Sequence, residues 1–412
     1  VETRSGAHWD AIVIGAGAAG MMCAAVAGQR GARVLLIDHA EKLAEKIRIS
    51  GGGRCNFTNV NAGPANFISE NPAFCRSALA RYTAADFIAL VRKHRIAFHE
   101  KHKGQLFCDD SAEQIIELLR AECDAGGVRW AMPCKVRRIG RGGDEFEVET
   151  EQGTQWAQRL VVATGGLSIP KIGATDFGYR IARQFGLRIV EPRPALVPLT
   201  FDAAQWAPFA SLAGVSLEVR AACGAGRERA AFDEDLLFTH RGLSGPAILQ
   251  VSTFWQPGAA IELDLAPSFA RDALANALVA AKRGSRQTLV NVLAGLLPRR
   301  LAEGWLHSRG SAADARSADL GDRALRDLAQ SLTHWTLVPT GSEGYRKAEV
   351  TRGGVATDEL SQATLEARRQ PGLHFIGEVV DVTGWLGGYN FQWAWSSGHA
   401  AGQAIAAAVR PG

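Results

Sequence analysis

Residues Asp10 to Asp38 read DAIVIGAGAAGMMCAAVAGQRGARVLLID. Ala11 to Ile14 is a short apolar run rich in β-branched residues, Gly15, Gly17 and Gly20 follow at Gly-x-Gly-x-x-Gly spacing, and an Ala-rich segment runs on to Arg30. Arg33 to Asp38 turns apolar again and ends on a carboxylate. Strand, glycine turn, helix and strand within about 30 residues are the pattern of a dinucleotide-binding βαβ unit. Gly15 allows the tight turn off the strand, Gly17 lets backbone approach a pyrophosphate, and Gly20 lets helix pack closely on sheet. The helix start, with Ala18 and Ala19 in its first turn, offers unpaired N–H groups and a positive dipole end to phosphates. Asp38 suits a ribose diol and repels a 2′-phosphate.

Outward from that stretch, the 412 residues predict more than one domain, at about 100–200 residues per domain. A composition 47% hydrophobic and 21% charged is that of a globular protein, and the net charge of +4 is a mild excess. No dense Lys/Arg block stands out in this reading, so nucleic acid is not the first expectation. No apolar segment is as long as a membrane span, and Val1 to Trp9 is too short and polar for a signal peptide, so a cytoplasmic location is expected. The seven cysteines lack any Cys-x-x-Cys pair. Reduced thiols and no zinc site are the expectation.

After Asp38, Lys42 to Asn59 reads KLAEKIRISGGGRCNFTN: a short helix carrying Lys46, then Ser50 and the consecutive Gly51, Gly52 and Gly53, then Arg54, Cys55 and Asn56. Three glycines in a row pack nothing and cost backbone entropy, so their use is to bring main chain against a flat or charged ligand. Cys55 has no second cysteine within a few residues, which argues against dithiol chemistry. Two helices are expected across Ala73 to Arg95, and a third from Ser111 to Cys123, capped by Ser111 or Asp110. His94, His99 and His102 match no strong ligand spacing and read as a solvated basic turn. Strands are expected over Val128 to Val136 and Glu145 to Thr150, around a turn at Gly140 to Gly143.

Arg159 to Pro170, RLVVATGGLSIP, repeats the opening logic, with an apolar strand running into Thr164, Gly165 and Gly166. A helix from Asp176 to Phe185 is stopped by Gly186. From Glu191 to Leu265 prolines and short alternating runs predict a β-rich insertion. Within it, Ser244 reads as an N-cap with Pro246 in the first turn, and His240 is a candidate proton donor. Ala270 to Leu332 reads as helical, broken by Gly284, Pro298 and the polar stretch Arg309 to Asp319.

The last segment returns to glycines: KAEVTRGGV at Lys347 to Val355, then GLHFIGEVVDVTGWLGGYNFQWAWSSGHAAG at Gly372 to Gly402. A strand at Leu373 to Ile376 precedes Asp381, and Gly384, Gly387 and Gly388 precede a helix from about Asn390. A carboxylate and a second glycine-lined helix start, far in sequence from the first, are what a two-part cofactor such as FAD requires. Asp381 suits ribityl hydroxyls. Trp385, Trp393 and Trp395 read as core aromatics.

Together IGAGAAG, SGGGRCNFTN, ATGG, FTHRGLSGPA and GEVVDVTGWLGGYNFQWAWSSG resemble the aminoacetone oxidase family of FAD-binding flavoproteins, also described as BaiN-like FAD-dependent oxidoreductases. The resemblance implies a Rossmann-type FAD-binding α/β domain from residues 1–190 and 345–412. A β-barrel-like insertion (191–268 and 333–344) and a helical subdomain (269–332) lie between. It places Gly15, Gly17, Gly20 and Asp38 on the adenosine diphosphate half, and Arg54, Asn56, Thr164, Gly165, Asp381 and Gly388 to Asn390 along pyrophosphate, ribityl or flavin. Ala18, Ala19, Lys46, Ser50, Gly51, Gly52, Gly53, Cys55, Val136, Gly166, Gly377, Glu378 and Tyr389 complete the candidate set. One departure is visible: where relatives tend to carry Arg-Val-Phe-Pro, this chain has Gln105, Leu106, Phe107 and Cys108.

The expected activity is exchange of a hydride equivalent between noncovalent FAD and a small organic substrate, at the face covered by the insertions. Amine oxidation and reduction of a conjugated ketone are both open, with NAD(P)H or oxygen as electron partner. His240 and Tyr389 are the proton-transfer candidates. The competing readings are an NAD-dependent dehydrogenase and a non-catalytic flavoprotein that binds RNA or a protein partner.

Overall fold

The computed structural model describes residues 6–226, 229–270, 272–282, 287–310 and 315–409. Gly284 and residues 311–314 of the expected polar break lie outside them. The chain divides into two compact units, Val1–Arg193 with Val350–Gly412, and Pro194–Glu349.

The first unit is built on a sheet whose central strands are buried on both faces. Ala7–Ile14 pairs in parallel with Val34–Ile37 on one side and with Gly153–Val162 on the other. Arg129–Ala131 extends the first edge in parallel, and Leu373–Phe375 pairs in parallel with Gly153–Val162. The continuous apolar runs read from sequence are therefore those of parallel strands covered above and below. The strand expected over Val128 to Val136 is two strands. Arg129–Ala131 belongs to the parallel sheet, and Val136–Gly142 forms an antiparallel meander with Glu145–Thr150. Pro133, which lacks an N–H for the ladder, sits between them, and the Met132–Pro133 peptide is cis. The meander turn falls at the last residue of the expected stretch, Gly143, whose φ is 67°.

One helix interface brings the two ends of the chain together. Ala18–Gly28 and Tyr389–Ala408 pack side by side along small residues. A Cβ on Gly398 would fall 2.5 Å from the carbonyl oxygen of Ala19, and one on Gly402 would fall 2.7 Å from that of Cys23. The Ala-rich composition of the first helix follows from this: a large side chain would push the two backbones apart. Trp393 and Trp395 are buried in the same core, as read from sequence.

In the second unit, Ser216–Cys223 is flanked antiparallel by Ala230–Thr239 and Ile261–Asp264. Among the described residues this sheet has seven strands. Helices Ala273–Ala281, Leu289–Ala294, Arg299–Ser308 and Asp322–Thr333 share one hydrophobic core with it, where Leu278, Leu293, Leu301 and Trp305 join Leu236, Phe238 and Leu263. The helix Pro246–Phe254 is capped by Gly245 rather than Ser244, which lies in the strand Gly242–Ser244. Gly245 has φ 87°, and a Cβ there would lie 2.7 Å from the Asp235 carbonyl oxygen. Glycine is required at that corner.

Candidate functional site

The opening turn is held shut by the carboxylate expected to read a ribose. The backbone N–H of Ala16 donates to Asp38 Oδ2 at 2.7 Å, and Ala40 N–H donates to Oδ1 at 2.8 Å. A carboxylate has about four lone-pair sites, so Asp38 keeps acceptor capacity beyond these two bonds. Gly15 has φ 105°, and a Cβ on Gly20 would sit 1.8 Å from the Gly15 carbonyl oxygen. Gly17 differs: it caps the helix, and a Cβ there would meet nothing within 4 Å. Ala18, Ala19 and Gly20 begin the helix, whose first N–H groups have no intrahelical partner. Cys134 N–H donates to the Asp38 carbonyl at 2.7 Å, and two residues on, Val136 opens the strand Val136–Gly142.

The second glycine turn lies against the first: Ala163 N–H donates to the Ile14 carbonyl at 2.8 Å, and a Cβ on Gly15 would touch the Ala163 oxygen. Behind Gly166 lies a polar network that joins four distant segments. Lys46 Nζ donates to Ser168 Oγ at 2.7 Å and to Glu378 Oε2. Glu378 Oε1 accepts from Thr351 N–H at 2.8 Å and from Ser168 Oγ at 3.2 Å. Thr351 Oγ1 accepts from Leu167 N–H at 2.8 Å. Lys46 and Glu378 were among the sequence candidates. Ser168 and Thr351 were not, although both lie in stretches already singled out for their glycines.

Ser50 to Gly53 forms a tight left-handed loop, with φ of 58°, 68° and 85° at Gly51, Gly52 and Gly53. Gly51 is backed by the Phe107 ring, while a Cβ on Gly52 or Gly53 would meet nothing within 4 Å. The loop is pinned from behind: Cys55 N–H donates to the Ser50 carbonyl, and Ala112 N–H to that of Gly53. Arg54 is exposed beside it. Cys55 is fully buried, and burial pushes its thiol up. Cys108, also buried, is pushed up to about 12, again by burial first. Both remain neutral thiols at physiological pH and neither is set up as a nucleophile.

Gly377 joins the C-terminal segment to the first turn. A Cβ there would lie 2.9 Å from Cβ of Ala19, its N–H donates to Ser397 Oγ at 3.0 Å, and its carbonyl accepts from Trp393 Nε1 at 3.0 Å. Further on, Gly388 starts the long helix at φ 92°, packed against the Thr58 carbonyl and Asn56. Asn56 Nδ2 donates to Gln105 Oε1 at 2.9 Å, and its buried Oδ1 has no protein partner. The departure at Gln105 therefore falls inside the candidate site, where Gln105 also packs on Gly387.

Several sequence candidates are placed differently. Asp381 is 3% exposed, and its Oδ2 accepts from Glu70 N–H at 2.9 Å and Ser69 Oγ at 3.3 Å. Through Oδ2 it anchors the loop at Ser69 and Glu70, and burial holds its carboxyl above the usual range. Asn390 spends its amide on Gly384, with bonds of 2.8 and 2.9 Å that close the glycine loop. Tyr389 is buried against the rings of Phe67 and Trp385. His240 belongs to the second unit, exposed at the tip of the hairpin between Ala230–Thr239 and Gly242–Ser244.

The residues present fit an elongated phosphate-bearing cofactor. Glycines 17, 52, 53 and 165 front open space where a side chain would stand, and Asn56 Oδ1 and Thr164 Oγ1 are buried polar atoms without protein partners. Buried polar atoms of this kind call for an additional partner.

Comparison with known proteins agrees. A "Ribosomal RNA dihydrouridine synthase" of Escherichia coli (strain K12) is 51% identical over 401 residues, 97% of this chain and 99% of the relative. A "3-dehydro-bile acid delta(4,6)-reductase" of Clostridium scindens is 28% identical, covering 97% of this chain and 99% of the relative. Among solved structures, a 3-ketosteroid-delta4-(5alpha)-dehydrogenase from Rhodococcus jostii shares the fold at TM-score 0.50 and 15% identity, covering 98% of each chain. Neither of these two relatives carries the aminoacetone oxidase name, so the resemblance holds at the level of the wider flavoprotein family. The fold is that of FAD-dependent oxidoreductases, and the family described as HI0933-like protein Rossmann domain matches residues 9–404. The chain belongs to the HI0933-like Rossmann-domain family of FAD-dependent enzymes.

Proposed function

We propose that this protein is a flavoenzyme that reduces the C5–C6 double bond of a uridine in ribosomal RNA. The observation that carries the reading is the 51% identity, over nearly the full length of both chains, to a relative named for ribosomal RNA dihydrouridine synthesis. Dihydrouridine is uridine saturated at C5–C6, a double bond conjugated to the C4 carbonyl. The more distant relative is named as a reductase of a bile acid. Both names fall on the reductive side of the activity expected from sequence.

FAD, when bound, supplies the hydride equivalent for such a reduction. The chain's own residues do the holding. N–H groups at the start of Ala18–Gly28 would hold the pyrophosphate, and Asp38 would accept from the adenosine ribose. Gly52, Gly53 and Gly165, which front open space, would bring main chain against the ligand. Glu378, held by Lys46, Ser168 and Thr351, takes the place among the polar contacts that sequence had given to Asp381. Asn56 Oδ1 supplies a buried acceptor.

The test is a nucleoside analysis of ribosomal RNA by mass spectrometry. RNA from cells lacking the enzyme, treated with the dithionite-reduced holoenzyme, is expected to gain dihydrouridine. Reduced holoenzyme that yields no dihydrouridine in either protein-free RNA or intact subunits would overturn the proposal.

A further inference from the structure

We propose that Gln105 is a positioning residue for FAD: it holds the Asn56 amide so that its oxygen, and not its nitrogen, is turned to the cofactor as an acceptor for the N–H of the flavin ring. This depends on bound flavin and on no particular substrate, so it stands apart from the ribosomal RNA reading.

The two ends of a primary amide are alike in shape and opposite in chemistry, since the oxygen accepts hydrogen bonds and the nitrogen donates them. The ring system of oxidised FAD has one N–H, at N3, and an amide nitrogen turned to it would leave two donors facing each other. A partner that accepts from the nitrogen settles which end is left for the ligand. Asn56 Nδ2 donates to Gln105 Oε1 at 2.9 Å. Asn56 Oδ1 is buried and has no partner among the described residues. A buried acceptor left open in this way calls for a donor from outside the chain.

Asn56 stands between two of the glycine segments. A Cβ on Gly51 would fall 2.9 Å from the Asn56 backbone nitrogen, and one on Gly388 would fall 2.9 Å from Asn56 Oδ1. A side chain at residue 388 would therefore cover the oxygen that glycine leaves open. The pairing of Asn56–Asn59 with Gln105–Cys108 shifts register between Asn56 and Thr58, an irregularity of the kind that re-aims a side chain. Gln105 is fixed from its own side. Its N–H donates to the His102 carbonyl at 3.0 Å, and its carbonyl accepts the Lys101 N–H at 3.0 Å. Its side chain lies against Gly387, where a Cβ would fall 2.9 Å from Cγ and Cδ. Asn59, opposite Gln105 in the sheet, donates to the Gly387 carbonyl at 3.0 Å and holds that glycine in place. Gln105 is half-buried, so water can meet its own amide nitrogen, whereas the Asn56 oxygen has no such recourse.

The experiment compares Gln105→Glu, Gln105→Met and Gln105→Lys by flavin fluorescence titration of the FAD-free full chain, with thermal melts to show that each variant folds. Glu accepts from Asn56 Nδ2 as Gln105 does, Met neither accepts nor donates, and Lys donates only, which turns the Asn56 oxygen away from the cofactor. The FAD dissociation constant is expected to stay within about threefold of wild type for Glu, to rise about fivefold for Met and to rise about tenfold or more for Lys. Charge alone would order the variants the other way, because the phosphates of FAD attract Lys and repel Glu. Lys binding FAD as tightly as Glu would overturn the proposal, as would a Met variant equal to wild type or a Glu variant as weak as Met. The Glu and Met variants decide the matter if the Lys variant does not fold. Wild-type holoenzyme that forms no dihydrouridine would remove the ribosomal RNA reading and leave this ordering of affinities as it is.

Discussion

The first and last glycine turns look alike in sequence, each a short run of glycines before a helix, but they do opposite work. At the first, Gly17 fronts open space while Gly15 and Gly20 are packed on backbone. At the last, all three glycines are filled by protein: Gly384 faces Tyr389, Gly387 faces Gln105 and Gly388 faces the Thr58 carbonyl. The first turn leaves open space at Gly17; the last removes its own side chains so that the hairpin bearing Asn56 and Gln105 can close on it. A glycine motif thus reports close approach, and only the structure says whether the approaching group is ligand or protein.

Substitutions at these glycines should break the comparison most sharply. Gly20→Ala places a methyl 1.8 Å from a carbonyl oxygen and should destabilise the fold by about 3 kcal/mol or more. Gly388→Ala, strained at φ 92° and 2.4 Å from the Thr58 oxygen, belongs with it. Both are read by thermal unfolding. Gly17→Ala should instead leave the stability of the FAD-free protein within about 0.5 kcal/mol of wild type. Its FAD dissociation constant, from a flavin fluorescence titration, should rise by about tenfold or more. Equal losses of stability at Gly17 and Gly20 would erase the distinction.

The carboxylates sharpen the same contrast on a smaller scale. Glu378→Gln weakens the partner of Lys46 and should cost about 1–2 kcal/mol of stability together with some FAD affinity. Asp381→Asn keeps an oxygen for Glu70 N–H and should leave flavin content unchanged. Burial raises the Asp381 carboxyl above its unfolded value, so its contribution to stability is fully present below that value and is lost as pH rises through the folded one. In thermal melts the variant should therefore gain on wild type as pH rises from about 4 toward neutrality. A variant that loses flavin would return Asp381 to the cofactor.

What was legible in the sequence was whatever a local pattern encodes. The βαβ unit, the glycine loop at Gly51 to Gly53 and the buried tryptophans all follow from short-range spacing. Missed features depend on partners far apart in the chain. Lys46 and Glu378 are separated by 332 residues, and nothing near Asp381 signals that its Oδ2 accepts from Glu70 and Ser69. Ser244 was read as a cap because serine favours that position, but the corner's left-handed backbone required Gly245.

Hydrogen–deuterium exchange of FAD-stripped protein, with and without added FAD, tests most directly whether one cradle is built from both ends of the chain. Protection is expected together in three stretches, Ala16 to Met21, Gly51 to Asn56 and Gly377 to Asn390. Protection confined to the first stretch, with the C-terminal glycine segment exchanging as before, would contradict it.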